Sequence, residues 1–418
     1  MKRLFILSAA VAALASCSNS EVITEVNEPQ VPDKAIAFET FSSNATREGA
    51  ENSGATTTQG LEKHHQNFQV WAYKDVQSDY VFNGTEVKYE QISTEPSTYA
   101  WQYSPIHFWD KNANSYEFYA CAPADPSFEL NTNTEDQDDD YFTLSDVTLN
   151  NATLSSTSYD QSMKNDQVTN NVNESSGSTS PSSATTINTD YMIANACKVA
   201  NNDFGKPVQL HFNHILSRLN ITVKKGETLN RANAKLDVVS LEVNNMAAKG
   251  SFDEHDATAT DLSQGSTKRW TVAANDPKVT YVANALGGVN NTAQYILQSL
   301  VLPQEVEYED ITLDGKSGGT SVSTTNEPYI KIVYKITTTA TASGQTDVTE
   351  TYTAYYNLAA VFVSNATSGT KVAFNEGWQN TLNITIDAAQ ITFTPDVYEW
   401  KDTDPSGSIE IGKVTQIP

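Results

Sequence analysis

The residue with the best-defined chemistry in this sequence is Cys17. Lys2 and Arg3 open the chain, an apolar run extends from Leu4 to Ala15, and Leu14-Ala15-Ser16 leads into the cysteine. Charged, then apolar, then small is the order of a secretory signal. Small side chains ahead of the Cys give a signal peptidase access to the bond, and the Cys side chain offers a free thiol to take a diacylglycerol. Residues 1–17 therefore read as a lipoprotein signal peptide ending at a lipidated Cys17. The apolar run is shorter than the ~20 residues a spanning helix needs. No later segment is long and apolar enough to span, so lipid is the anchor on offer. This predicts an exported, lipid-anchored cell-surface protein of a diderm bacterium.

Other reactive residue types do not assemble into a site. His211 and His214 are three apart, which on a strand sends them to opposite faces and away from a shared metal. On a helical turn they could converge, but no third ligand is visible. Asp136, Asp138 and Asp140 are spaced like the first ligands of a calcium loop. The sixth and twelfth positions are Tyr141 and Val147, where such a loop wants Gly and Glu, so a solvated acidic loop is the better reading. Gly287-Gly288 and Gly318-Gly319 are turn signals, with no Gly-Lys-Ser/Thr after them, and there is no nucleophile elbow. No enzyme, cofactor or metal is expected. Cys121 and Cys197 either pair in an oxidising compartment or stay as two buried thiols. Tyr99, Trp101, Tyr103, Phe108 and Trp109 form an aromatic cluster. Exposed, such rings stack on sugars; rings packed in a core are the favoured reading.

Composition points the same way. Of 418 residues, 39% are hydrophobic and 18% charged, and 51 acids against 26 bases give a formal net charge of −25. Such a field repels nucleic acid, and a chain rich in Thr, Asn, Ser and Tyr favours strands with polar outer faces. Alternating runs recur at Phe68–Tyr73, Ser115–Ala120, Leu219–Val223, Ile330–Ile336 and Leu382–Ile386. Period-two alternation buries one face and wets the other. Strands without interleaved helices imply antiparallel sheets packed as sandwiches. One short helical turn is possible at His214–Leu219. Residues 18–34 read as a polar tether, Ile36–Phe41 as one strand, and 42–60 as a polar stretch around Arg47. Residues 127–190, dominated by Ser, Thr, Asn and Asp, read as a long exposed insertion that buries little apolar surface. A domain boundary falls near 200–207, where Asn201-Asn202-Asp203 and Gly205-Lys206-Pro207 interrupt the pattern.

The order of these pieces resembles the fimbrillin family of Bacteroidales surface proteins, the subunits of type V pili. The similar features are the lipobox at Cys17, the early strand Ile36–Phe41, and Ala45-Thr46-Arg47, which looks like the family's processing site. Phe68-Gln69-Val70-Trp71-Ala72-Tyr73 is similar to its first mature strand. Trp101-Gln102-Tyr103, Phe108-Trp109-Asp110 and Tyr116-Glu117-Phe118-Tyr119-Ala120 follow in the family's order, as do Asp190–Ala194 and Val208–Val223. The resemblance covers most of the chain outside the insertion, which looks longer than usual.

The resemblance implies an all-β chain of two transthyretin-like β-sandwich domains in tandem with few short helices. It divides the chain into a signal peptide (1–17), a propeptide with a removable first strand (18–47), an N-terminal domain (48–205) carrying the 127–190 insertion, and a C-terminal domain (206–418). A trypsin-like maturation protease would cut between Arg47 and Glu48, releasing the lipid anchor with the first strand. The resulting groove would accept a strand from another subunit. The C-terminal stretch 405–418 suits a donor, with Ile409, Ile411 and Ile417 on one face; the alternative is the last strand of its own sheet. The implied function is a pilus subunit serving adhesion, most simply a stalk. Its partners would be copies of itself or other fimbrial subunits, the protease, the outer membrane before processing, and receptors on host or bacterial surfaces. The alternatives are a tip or anchor subunit, or a carbohydrate-binding outer-membrane lipoprotein of a glycan-uptake system.

Overall fold

A computed structural model describes residues 35–42, 61–63, 65–75, 80–131, 140–149, 189–255, 267, 269–272, 278–283, 285–309, 327–340, 344–363, 365–388 and 390–399. Cys17, Arg47, Glu48, Ile409, Ile411 and Ile417 lie outside these residues.

The fold is nearly all β. The largest sheet has seven strands, in the order β1 (Phe38–Ser42), β9 (Val208–His214), β8 (Met192–Ala200), β5 (Ser115–Ala122), β2 (Asn67–Lys74), β3 (Tyr80–Thr94) and β4 (Ser97–Gln102). Every pairing in it is antiparallel except that of β1 with β9. A four-stranded sheet, β13 (Trp270–Thr271), β12 (Lys249–Asp253), β7 (Tyr141–Thr148) and β6 (Phe128–Asn131), covers one of its faces. The C-terminal sandwich faces two further sheets together. One is β15 (Gln294–Val301), β10 (Ser217–Lys225), β20 (Trp378–Ile386) and β21 (Ile391–Glu399). The other is β14 (Lys278–Ala283), β11 (Lys235–Ala247), β17 (Tyr329–Thr338) and β18 (Val348–Asn357). A small pair, β16 (Gln304–Glu307) and β19 (Lys371–Phe374), flanks it. Two short α-helices occur among the described residues, α1 (Glu227–Arg231) and α2 (Leu358–Phe362). Asn357 caps α2, its Oδ1 accepting from the Ala360 amide at 3.2 Å.

The alternating runs become β2, β5, β10, β17 and β20. The alternation does not always separate core from solvent. On β2, Phe68, Val70 and Ala72 enter one core, while Trp71 and Tyr73 enter a second between the two N-terminal sheets. On β10, Leu219, Ile221 and Val223 fill the C-terminal core, yet Asn220 and Thr222 on the other face are buried too. They meet Thr381 and Asn383 of β20 across the parallel pair, with Thr222 Oγ1 donating to Asn383 Oδ1 at 2.7 Å. Short polar side chains fit this double burial because they bond to one another.

Four expectations need correction. The 127–190 stretch is not wholly an exposed insertion. Its residues 128–131 and 141–148 are β6 and β7, and Phe128, Phe142, Leu144, Val147 and Leu149 are buried in the core they share with Trp71 and Tyr119. Asp140 is likewise buried rather than solvated, accepting from Tyr73 Oη at 3.0 Å. There is no helical turn over 214–219, because β9 runs to His214 and β10 begins at Ser217. Finally, a cut between residues 205 and 206 divides a sheet. Strands β8 and β9 on either side of it are neighbours, and the chain crosses to the C-terminal sandwich only after His214. The Gly and Pro there mark a tight turn between paired strands, not a linker. Strands β12 and β13 then return to complete the sheet of β6 and β7.

Candidate functional site

The site most open to change is the seat of β1. Its residues alternate strictly. Ile36, Phe38 and Thr40 are buried, at 1%, 8% and 5% exposure, while Ala35, Ala37 and Glu39 face out. On one side β1 pairs in parallel with β9, from Phe38 opposite Val208 to Ser42 opposite Phe212. The Val208 amide donates to the Ala37 carbonyl at 2.7 Å. On the other side it meets the segment after β4. Ala35 bridges Phe108, the Ile36 amide donates to the His107 carbonyl at 2.9 Å, and Tyr103 Oη donates to the Ile36 carbonyl at 2.7 Å. One border is thus paired along β9, and the other is held at Ala35 and Ile36 by backbone and tyrosine partners.

The floor of the seat is aromatic. The Phe38 ring meets Phe68, Phe82 and Tyr103 edge-on at 5.6, 5.6 and 5.7 Å, and Phe118 at 6.2 Å. Outside, Phe41 stacks on His211 at 4.8 Å with 15° between the planes. Burial there lowers the His211 pKa, against the pull of Glu39. Its Nδ1 and the Thr40 hydroxyl are buried without a hydrogen-bond partner. Burying Ile36 and Phe38 contributes roughly 1.5–3 kcal/mol each, a large part of the ~5–15 kcal/mol that holds a domain folded. Yet β1 is an edge strand, attached by one parallel ladder and a short bridge. Removing it would leave a β9 edge and an apolar slot of matching shape.

The aromatic cluster divides between core and surface. Trp109 is buried, Tyr103 and Trp101 are half-buried, and Tyr99 and Phe108 are exposed. Tyr99 stacks on Tyr89 at 5.7 Å, and Tyr89 leans on Trp101 at 5.1 Å, making a ladder from the core out along the β3–β4 hairpin. His211 and His214 separate as strand geometry requires. His214 lies inside, its Nδ1 2.9 Å from an Asp190 carboxylate oxygen, a pairing that sequence reasoning missed. Asp190 lies 24 residues before His214, and only the β8–β9 pairing brings them together. Among the described residues, no group of three or more His, Cys, Asp or Glu is placed to hold a metal ion. No helix of the described residues is long and apolar enough to cross a membrane.

Cys121 and Cys197 are both free thiols. Their strands are neighbours, but Cys121 lies opposite Ile193 and Cys197 opposite Phe118. They point into different cores on the two faces of the sheet.

Edge strands seated by packing, and two sets of facing sheets, define a modular all-β protein of the sandwich type. The fimbrillin-like family model matches residues 54–400, and the chain belongs to that family. Membership implies a cell-surface setting and assembly among fimbrial subunits. Among solved structures it is similar to a fimbrial protein from Bacteroides vulgatus at 13% identity, with 88% of this chain and 100% of that chain covered and a TM-score of 0.49. A putative cell adhesion protein from Bacteroides uniformis is 15% identical, with 89% and 100% covered and a TM-score of 0.42. The tip fimbrial protein Mfa3 from Porphyromonas gingivalis is 10% identical, with 88% and 100% covered and a TM-score of 0.35. Comparison with curated proteins gives no match.

Proposed function

We propose that this chain is a structural subunit of a cell-surface fimbria, of the stalk kind, that polymerises by exchanging β1 for a strand of its neighbour. The supporting observation is the seat of β1, an edge strand that fills an apolar slot and precedes Arg47 in the chain. The precursor is lipidated at Cys17 and held at the outer membrane. A trypsin-like protease cuts between Arg47 and Glu48, and residues up to 47 leave with the anchor and β1. The vacated slot then takes the C-terminal strand of the next subunit, where Ile409 and Ile411 repeat the two-residue spacing of Ile36 and Phe38. The assembled fibre serves adhesion to surface receptors.

The test is the N-terminal residue and intact mass of the protein recovered from native cell surfaces. A chain starting at Glu48 and free of lipid is expected. A diacylated chain starting at Cys17, and no other form, would count against strand exchange and leave an anchor subunit.

One observation favours a second reading. Tyr99 is 52% exposed and stacked on Tyr89, a ring platform of the kind that binds sugars in a glycan-binding lipoprotein. Glycan-array binding lost on Tyr99→Ala would support it.

A further inference from the structure

The end of the first domain farthest from the second carries an exposed apolar pair, Ile106 and Phe108, 49% and 54% exposed. They alternate with His107, which turns inward against Phe82 and Tyr103. The location follows from strand direction. Strand β9 leads from Val208 towards the crossing at 215–216, and β1 runs parallel to it. The Ala35 end of β1 is therefore the distal end, and Phe108 is bridged to Ala35 itself. The pair sits at the mouth through which a strand of the same polarity would enter the slot.

We infer that Ile106 and Phe108 form the body-to-body contact with a second copy of this chain in the fibre, an inference that rests on the strand-exchange reading. The length of chain beyond the last described strand sets the distance. Strand β21 ends at Glu399, and residues 400–408 separate it from Ile409. Nine extended residues span about 30 Å at most, so the body of the donor copy lies within that distance of the mouth. After cleavage each chain keeps 22 bases (26 − 4) and 46 acids (51 − 5), a net charge of −24, and two such chains brought so close repel one another. The segment Ser104-Pro105-Ile106-His107-Phe108 carries no carboxylate, and two large apolar side chains there supply contact without adding to the repulsion. Isolated exposed apolar residues are ordinary; a pair backbone-linked to the entrance of the slot has a specific use.

The experiment uses the full chain cleaved after Arg47, in wild-type form, as Ile106→Asp/Phe108→Asp and as Ile106→Ser/Phe108→Ser. Sedimentation velocity reads polymer formation, and fluorescence anisotropy reads capture of a synthetic peptide of residues 405–418. The bridge to Ala35 is made by the Phe108 backbone, which both substitutions keep, so all three chains should capture the peptide equally, with both variants losing polymer by about tenfold or more, as for truncating a central contact pair. Polymer at the wild-type level in the Ser variant overturns the inference, because an effect confined to Asp would be added repulsion. Loss of peptide capture in the variants also overturns it, by placing the pair in the slot itself. A wild-type chain that captures the peptide and stays monomeric overturns the body contact alone. One that does neither removes strand exchange, and this contact with it.

Discussion

The Phe38 ring stands almost perpendicular to that of Phe68, 5.6 Å between centroids and 88° between planes. Among the described residues, this contact joins the strand that precedes Arg47 to the first strand of the family-matched region. Phe38→Ala removes a buried ring from among four others, and in the uncleaved chain it should cost about 3–5 kcal/mol. Urea unfolding followed by Trp fluorescence measures this. The same substitution in a chain cleaved after Arg47 and stripped of its N-terminal segment should have no effect, because the residue is gone. Equal destabilisation in both would mean that the segment stays bound after cleavage.

The grip on β1 should weaken in acid. His211 is stacked under Phe41 with a buried, unpartnered Nδ1, and burial holds its pKa below the ordinary 6.5. When β1 leaves, the ring is exposed and its pKa returns towards that value. Between the two values the released state binds more protons, so stability of the docked strand rises with pH. The contribution is present above about pH 6.5 and is lost as pH falls through that value towards the folded pKa. Release of the N-terminal segment from chain nicked at Arg47, followed from pH 7.5 down to 5, should accelerate, and His211→Asn should flatten the dependence. A profile unchanged by that substitution would mean that His211 does not set the pH dependence.

What was legible in the sequence was the material of the fold. Runs such as Leu219–Val223 and Leu382–Ile386 alternate because each strand has an inner face, and both lie where the pattern places them. Alternation is local, however, and does not say what covers the other face. Trp71 and Tyr73 look like an outer face until β7 arrives from 70 residues downstream. That strand was hidden by its surroundings. Phe142 and Leu144 alternate cleanly, but the positive φ of Asp146 breaks the rhythm before Val147, and the flanking polar stretch dominates any average. The return of β12 and β13 to the first domain has no local signal. It is set by burial of Phe252 and Trp270, whose indole Nε1 donates to the Ile215 carbonyl at 2.7 Å. The edge strand at Ile36–Phe41 was readable from the sequence. Its parallel pairing and its neighbours Tyr103 and His107 were not, because partners 67 residues away leave no local trace.

The thiols offer a separate check. Cys197 lies opposite Phe118, three residues along β5 from Cys121. That is about 10 Å of strand, beyond the ~4.4–6.8 Å between Cα atoms that a disulfide spans. Burial pushes both thiols up from their ordinary pKa, Cys121 much further. Alkylation of protein purified without reductant should therefore label both under denaturing conditions. Under native conditions Cys197 should react first and Cys121 hardly at all. Unreactive thiols after denaturation would mean an oxidised pair and a different β5–β8 register.

The two domains are also joined by a buried charge cluster. Arg269, beside β13, donates through Nε to Glu376 Oε1 at 2.8 Å, and its Nη1 lies 3.7 Å from Glu254 Oε1. Glu376 belongs to the turn before β20, where Gly377, at φ +64, lets the chain pass against the His214 carbonyl. Glu254 in turn accepts from the Phe142 amide at 2.9 Å, so the guanidinium ties β7 to the C-terminal sandwich. Arg269 also lies over the Phe252 ring at 5.1 Å. Arg269→Met keeps much of that packing but strands two carboxylates, and should destabilise the chain by about 3–5 kcal/mol. Arg269→Met with Glu376→Leu removes the stranded charge at the closer site and should recover a large part of the loss. Thermal unfolding of the single and double variants measures the difference. If the double variant is as unstable as the single one, the cluster acts through shape or through Glu254 rather than through the Arg269–Glu376 pair.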